Sequence, residues 1–145
     1  MKNLEFELQD FFNRFKRTVS EEGFDDFPYM FCDVVSRRLT QEFGFALVMG
    51  KYLGRFSASY LKKAREYYYL QNNNLQVPHH FCYDRKTGLY IDLTSSQFTP
   101  ENPDVLLIES SSPRIVKNYD IRTVYSSHLV LNGDAGIWIS VLRLS

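Results

Sequence analysis

Cysteine is scarce in this chain, with two in 145 residues, Cys32 and Cys82, in unlike surroundings. A small secreted scaffold would be cysteine-dense, so the composition argues against a disulfide framework and points to a reducing compartment. Net charge is also missing, since 17 basic residues meet 17 acidic ones. Proteins dedicated to nucleic acid or to anionic membranes usually carry a basic field, so neither partner is expected. The chain contains no long apolar run, and its opening Met1-Lys2-Asn3-Leu4-Glu5 lacks the apolar core of a secretory signal. The expected location is cytoplasmic, although export by a route that uses no cleaved signal stays open. Tryptophan occurs once, but 12 phenylalanines and 10 tyrosines promise a generous core.

What is there fits one domain over residues 1–145, close to the commonest domain size. A chain of this length buries roughly two-thirds of its unfolded surface and needs no metal or disulfide for stability. Leu4, Leu8, Phe11, Phe12, Phe15 and Val19 recur at helical spacing, which predicts an amphipathic helix over 3–19 ended by Gly23. A loop at 25–28 leads to a second predicted helix over 29–43, stopped at Gly44, with Cys32, Ser36, Leu39 and Phe43 on one stripe. Phe45 to Met49 reads as a short strand closed by Gly50, and 57–70 as a helix capped by Ser57 or Ser59. Residues 76–84 and 89–94 read as a hairpin whose turn, Arg85-Lys86-Thr87-Gly88, uses a glycine at positive φ. Further strands are predicted at 104–109, 121–125, 128–132 and 137–144, with a loop at 110–113. Helices first and mostly adjacent strands afterwards give an α+β class, N-terminal helices packed on an antiparallel sheet.

The chemistry-bearing residues follow the same order: a cysteine on a helix, then histidine and aspartate on neighbouring strands. Cys32 falls in the first turn of its helix, where the dipole and unpaired N–H groups favour the reactive thiolate and can receive an oxyanion. Packing alone also explains a cysteine that shares a stripe with Leu39 and Phe43. His79 and His80 point to opposite faces of their strand, so only one is expected to face the helix that carries Cys32. Spacing does not choose between them. A thiol needs a base, and the imidazole needs a third group to fix its tautomer; Asp92, between Ile91 and Leu93, is placed for that role. Alternatively, Tyr90, Asp92 and Thr94 form the solvated face of an amphipathic strand, and a bulge at Gly88 would reverse the parity.

His79-His80-Phe81 followed by Ile91-Asp92-Leu93-Thr94-Ser95-Ser96-Gln97-Phe98 resembles a group of small bacterial proteins related to the transglutaminase-like and papain-like cysteine hydrolases. In those families a helix-borne cysteine precedes a strand with His-x-Trp and then a strand with an Asp before Pro or Thr. The resemblance covers residues 27–98 and is more specific in its second half. Phe31 stands before the cysteine where a small residue is often found, and Phe81 stands for the tryptophan. The resemblance implies a papain-like or transglutaminase-like core, Cys32 as nucleophile, His79 as base and then acid, and Asp92 as its orienter. It also implies a peptide, protein or small amide as substrate, cleaved, deamidated or passed to an acceptor.

Other groupings carry less. His79, His80, Cys82 and Asp92 lack the paired spacing of a tetrahedral metal site, so no metal and no cofactor is expected. Cys82 shares a face with His80 and reads as packing. Lys62, Lys63 and Arg65 beside Tyr67-Tyr68-Tyr69 suggest a base-stacking patch, but the neutral chain favours a plain amphipathic helix. His128 reads as structural, Gln97 has no physical role assigned, and Tyr29, three residues before Cys32, is a conceivable oxyanion donor. Two functions emerge: a cysteine-dependent hydrolase or acyltransferase acting on an amide bond, or an inactive domain of the same fold that binds a protein or ligand.

Overall fold

A computed structural model describes residues 3–23, 31–68 and 78–127 of the chain. Helix α1 (Asn3–Glu21) buries Leu8, Phe11, Phe12, Phe15 and Val19, the stripe its periodicity demands. Helix α2 (Cys32–Phe43) ends on Gly44, whose φ of 78° closes the last turn back onto Thr40. Its buried residues are Val35, Ser36, Leu39 and Thr40. Helix α3 (Ala58–Tyr68) begins where Ser57 Oγ accepts from the Tyr60 N–H, so Ser57, not Ser59, provides the cap.

Strand β1 (Ala46–Tyr52) runs through Gly50, where the sequence predicted a stop. The reason lies in its neighbour: a Cβ at Gly50 would sit 2.1 Å from the carbonyl oxygen of Asp120, so only glycine permits the two backbones to approach. The register slips at that point, between Met49 and Gly50. Strands β2 (Pro78–Asp84) and β3 (Leu89–Asp92) form the expected hairpin, with Gly88 at φ 73°. A 3₁₀ turn at Ser95–Gln97 follows, then β4 (Leu106–Glu109), α4 (Pro113–Asn118) and β5 (Tyr119–Tyr125). Helix α4 starts at Pro113, the last residue of the loop predicted at 110–113, and fills a stretch to which the sequence assigns no element. Ser112 caps it and Pro113 opens it, so Ser-Pro here is a helix start. The strands predicted at 128–132 and 137–144, together with Tyr29 and His128, lie outside the described residues.

Among the described residues the strands form one five-stranded antiparallel sheet in the order β4-β3-β2-β1-β5. The class is therefore α+β, with β5 returning across the sheet to pair β1. Alternation along the strands splits the core in two. Cys82, Ile91 and Leu93 join α1 and α2 on one face, in a cluster with Phe31, Val35 and Leu39. Val48, Phe81, Leu106 and Ile108 join Tyr60 and Ala64 of α3, Ile115 of α4 and Phe98 on the other. The sheet is thus covered by helices on both sides, and no described helix is long and apolar enough to cross a membrane.

Candidate active site

The β2–β3 register pairs Cys82 with Ile91 and Tyr83 with Tyr90, so His79, Phe81 and Asp92 share a face. Asp92 is 1 % exposed and Thr94 likewise, which rules out the solvated-strand alternative. A buried carboxylate must be satisfied, and this one accepts three hydrogen bonds. His79 Nε2 lies 2.7 Å from Oδ2, the Tyr119 hydroxyl donates to the same oxygen at 2.8 Å, and the Thr94 N–H donates to Oδ1 at 3.0 Å. Burial opposes the charge on Asp92, but His79 and these donors outweigh it and hold the carboxyl below its ordinary range. An ionised carboxylate only accepts, so His79 Nε2 must carry its proton.

His79 itself is fully buried. Its ring is enclosed by Tyr52, Phe81, Phe98 and Tyr119, with centroids 4.9 to 6.2 Å away. Phe81 lies 5.6 Å off at an interplanar angle of 20°. Burial pulls the imidazole towards neutrality, and the charge and hydrogen bond of Asp92, with a further contribution from Cys32, raise it to about 10. Nδ1 is the free nitrogen; it is buried and has no partner at hydrogen-bond geometry.

Cys32 is the first residue of α2 and is partly buried. Phe31 precedes it as the N-cap with no side-chain cap bond. Phe31 packs into the cluster formed with α1. Cys32 Sγ lies 3.8 Å from His80 Nδ1. Burial opposes ionisation of the thiol, but the imidazoles of His79 and then His80 bring it down to about 6. The approach to His79 is loose, since Nδ1 has no formed hydrogen bond; such contacts in unliganded sites often tighten only around substrate.

The two side chains diverge along β2 as expected: His80 makes the geometric contact with the thiol, while His79 acts on it electrostatically. His80 in turn reaches Asp33, its Nε2 3.8 Å from Oδ1, while Arg37 Nε donates to that oxygen at 2.8 Å. Cys82 is a packing residue: it donates to the Ser36 carbonyl at 3.3 Å, and burial pushes its thiol well up. No His, Cys, Asp and Glu cluster among the described residues suits a metal ion.

Tyr119 and Asp33 were not singled out from the sequence. Tyr119 comes 27 residues after Asp92 and reaches it only because β5 pairs with β1, setting Tyr119 opposite Tyr52. Asp33 carried a local signal, an acidic residue in the first turn directly after the cysteine. Gln97 Nε2 is buried without a partner, and nothing in the structure explains it. Among the described residues, cavities of about 250 and 300 Å³ are lined by other side chains; Arg14, Arg17 and Arg38 border the first, and the second lies by Phe43 and Arg85. No family model, curated protein or solved structure matches the chain.

Proposed function

We propose that this chain is a cysteine-dependent hydrolase or acyltransferase acting on an amide bond, on a papain-like or transglutaminase-like core. The observation that carries the reading is the His79–Asp92 pair at 2.7 Å, which leaves Nδ1 as the imidazole's free nitrogen beside a thiol held at about 6. With His79 at about 10, the proton has already passed to the imidazole at neutral pH. The resting pair is then thiolate and imidazolium, so no base is needed for the first step.

The thiolate attacks the carbonyl carbon, and N–H groups at the start of α2 take the oxyanion. Imidazolium His79 protonates the amine as the C–N bond breaks, leaving a thioester on Cys32. Asp92 keeps the ring oriented and stabilises its charge throughout. Water or another nucleophile then takes the acyl group, so hydrolysis, deamidation and transfer share this intermediate. Tyr119, whose hydroxyl burial and Asp92 push well up, stays a donor to the carboxylate and is a positioning residue.

A binding module of the same fold is the second reading, favoured by the absence of Cys32, His79 and Asp92 from the lining of both cavities. A peptide library incubated with the protein, with and without an added amine acceptor, separates the two when products are read by mass. Cleaved, deamidated or amine-linked products that vanish with Cys32→Ala are expected. Retention of intact peptides on wild-type and Cys32→Ala protein alike would establish the binding module.

A further inference from the structure

The enzymatic reading leaves His80 without a task, yet His80 is the residue in defined contact with Cys32. We propose that His80 is a second catalytic acid–base group, which takes a proton from the water that hydrolyses the Cys32 thioester while His79 serves the leaving amine. The inference rests on the proposed thiol chemistry and deepens it.

The two imidazoles differ in the property that matters for water. His79 is fully buried, ringed by four aromatic side chains and tied through Nε2 to Asp92. The His80 side chain keeps 12 % of its surface open and places Nδ1 3.8 Å from the reacting sulfur. Its Nε2 faces the half-exposed Asp33 carboxylate at 3.8 Å, a charge contact and not a hydrogen bond. The resting thiolate holds a proton on Nδ1; once the sulfur is acylated it no longer does, and the Asp33 carboxylate then favours the tautomer protonated on Nε2, which leaves the Nδ1 lone pair towards the thioester. Arg37 fixes Asp33 from the other side at 2.8 Å. Asp33 is thus a positioning residue for His80, as Asp92 is for His79.

The step balances. After the amine leaves, His79 is neutral and the acyl group is on sulfur. Water forms a bond to the carbonyl carbon and gives its proton to His80 Nδ1. The C–S bond breaks, the electron pair returns to Cys32 as thiolate, and the acid released gives its proton to His79, restoring the imidazolium. His80 returns its own proton to solvent through its open edge.

The test uses p-nitrophenyl acetate, which acylates thiolates without acid assistance to the leaving group, on the full chain. Nitrophenolate release and intact mass are read together. Wild-type protein should release nitrophenolate and turn over. His80→Gln should keep a burst of about one nitrophenolate per chain and accumulate the acetylated species, with deacylation slowed on the order of 100-fold. Asp33→Asn, at a half-exposed position whose change leaves the core alone, should slow deacylation roughly 5-fold with the burst intact. A His80→Gln protein that clears its acetyl group at the wild-type rate, or one that loses the burst, overturns the role of His80. Wild-type protein that never takes up the acetyl group at Cys32 overturns the thiol-enzyme reading and this one with it.

Discussion

Replacing Asp92 by asparagine changes one atom and should reverse the logic of the site. Oδ2 accepts from both His79 Nε2 and Tyr119, and Oδ1 accepts from the Thr94 N–H. An amide oxygen placed at Oδ2 would keep the first two donors but set its own NH₂ against the Thr94 N–H. The flipped amide keeps Thr94 and donates to His79 Nε2 and to the Tyr119 oxygen, which leaves none of the three partners facing a like group. That orientation is therefore expected, and it forces the imidazole proton onto Nδ1. The imidazolium, held at about 10 by the carboxylate, becomes neutral near pH 7. Stability should fall by about 2 kcal/mol, the scale of one charged hydrogen bond in a buried place. The thiol should climb from about 6 towards its ordinary 9.0. At pH 7 that shift cuts the thiolate fraction about 90-fold, but a thiolate three units more basic is roughly 20-fold more nucleophilic. Alkylation measured at one pH would drop only about 4-fold, so the midpoint must be followed instead. Ring ¹⁵N shifts of His79 report the tautomer, and denaturant titration reports the stability. A neutral Nδ1–H imidazole at pH 8 in the variant, against imidazolium in the wild type, is the expected result. An unchanged protonation state, with stability within about 0.5 kcal/mol of wild type, would refute the reasoning.

Tyr119→Phe removes one donor from the buried carboxylate and should cost about 1.5 kcal/mol in denaturant titration, with His79 still protonated at neutral pH. Gly50→Ala would place a Cβ 2.1 Å from the Asp120 carbonyl oxygen. The β1–β5 pairing must open, so a loss of about 3 kcal/mol or failure to fold is expected in thermal melts. Cys32→Ala should abolish every thiol-dependent product and cost only about 1 kcal/mol, because the side chain is partly exposed and shapes little of the core. The pH profile of amide turnover should be a bell, rising through about 6 as Cys32 ionises and falling through about 10 as His79 loses its proton. Stability carries the same signs. The His79 contribution is full below its ordinary 6.5 and is lost as pH rises through about 10.

Much of the scaffold was legible because local rules govern it. The α1 stripe from Leu8 to Val19, the stop at Gly44 and the Gly88 turn each follow from periodicity or from a required positive φ. Gly50 misled because glycine usually ends an element, and here it serves a close approach to Asp120 that only the sheet order creates. The pairing of β5 with β1 has no local signal either, and Tyr119 was lost with it. Cys32, His79 and Asp92 were legible as residue types in the right order, helped by a motif. The contact of Cys32 with His80 was not, since alternation says only that the two histidines diverge and not which of them the helix start meets. That placement depends on how α2 packs on β2, through Leu39, Ser36 and Cys82.

The central claim is an activated Cys32 thiolate paired with His79. The most direct measurement is the pH dependence of Cys32 alkylation by iodoacetamide from pH 4 to 9, in a Cys82→Ser background, with and without His79→Ala. The account predicts a midpoint near 6 that moves up by more than one unit when His79 is removed. A midpoint near the ordinary 9.0 in both proteins would contradict it.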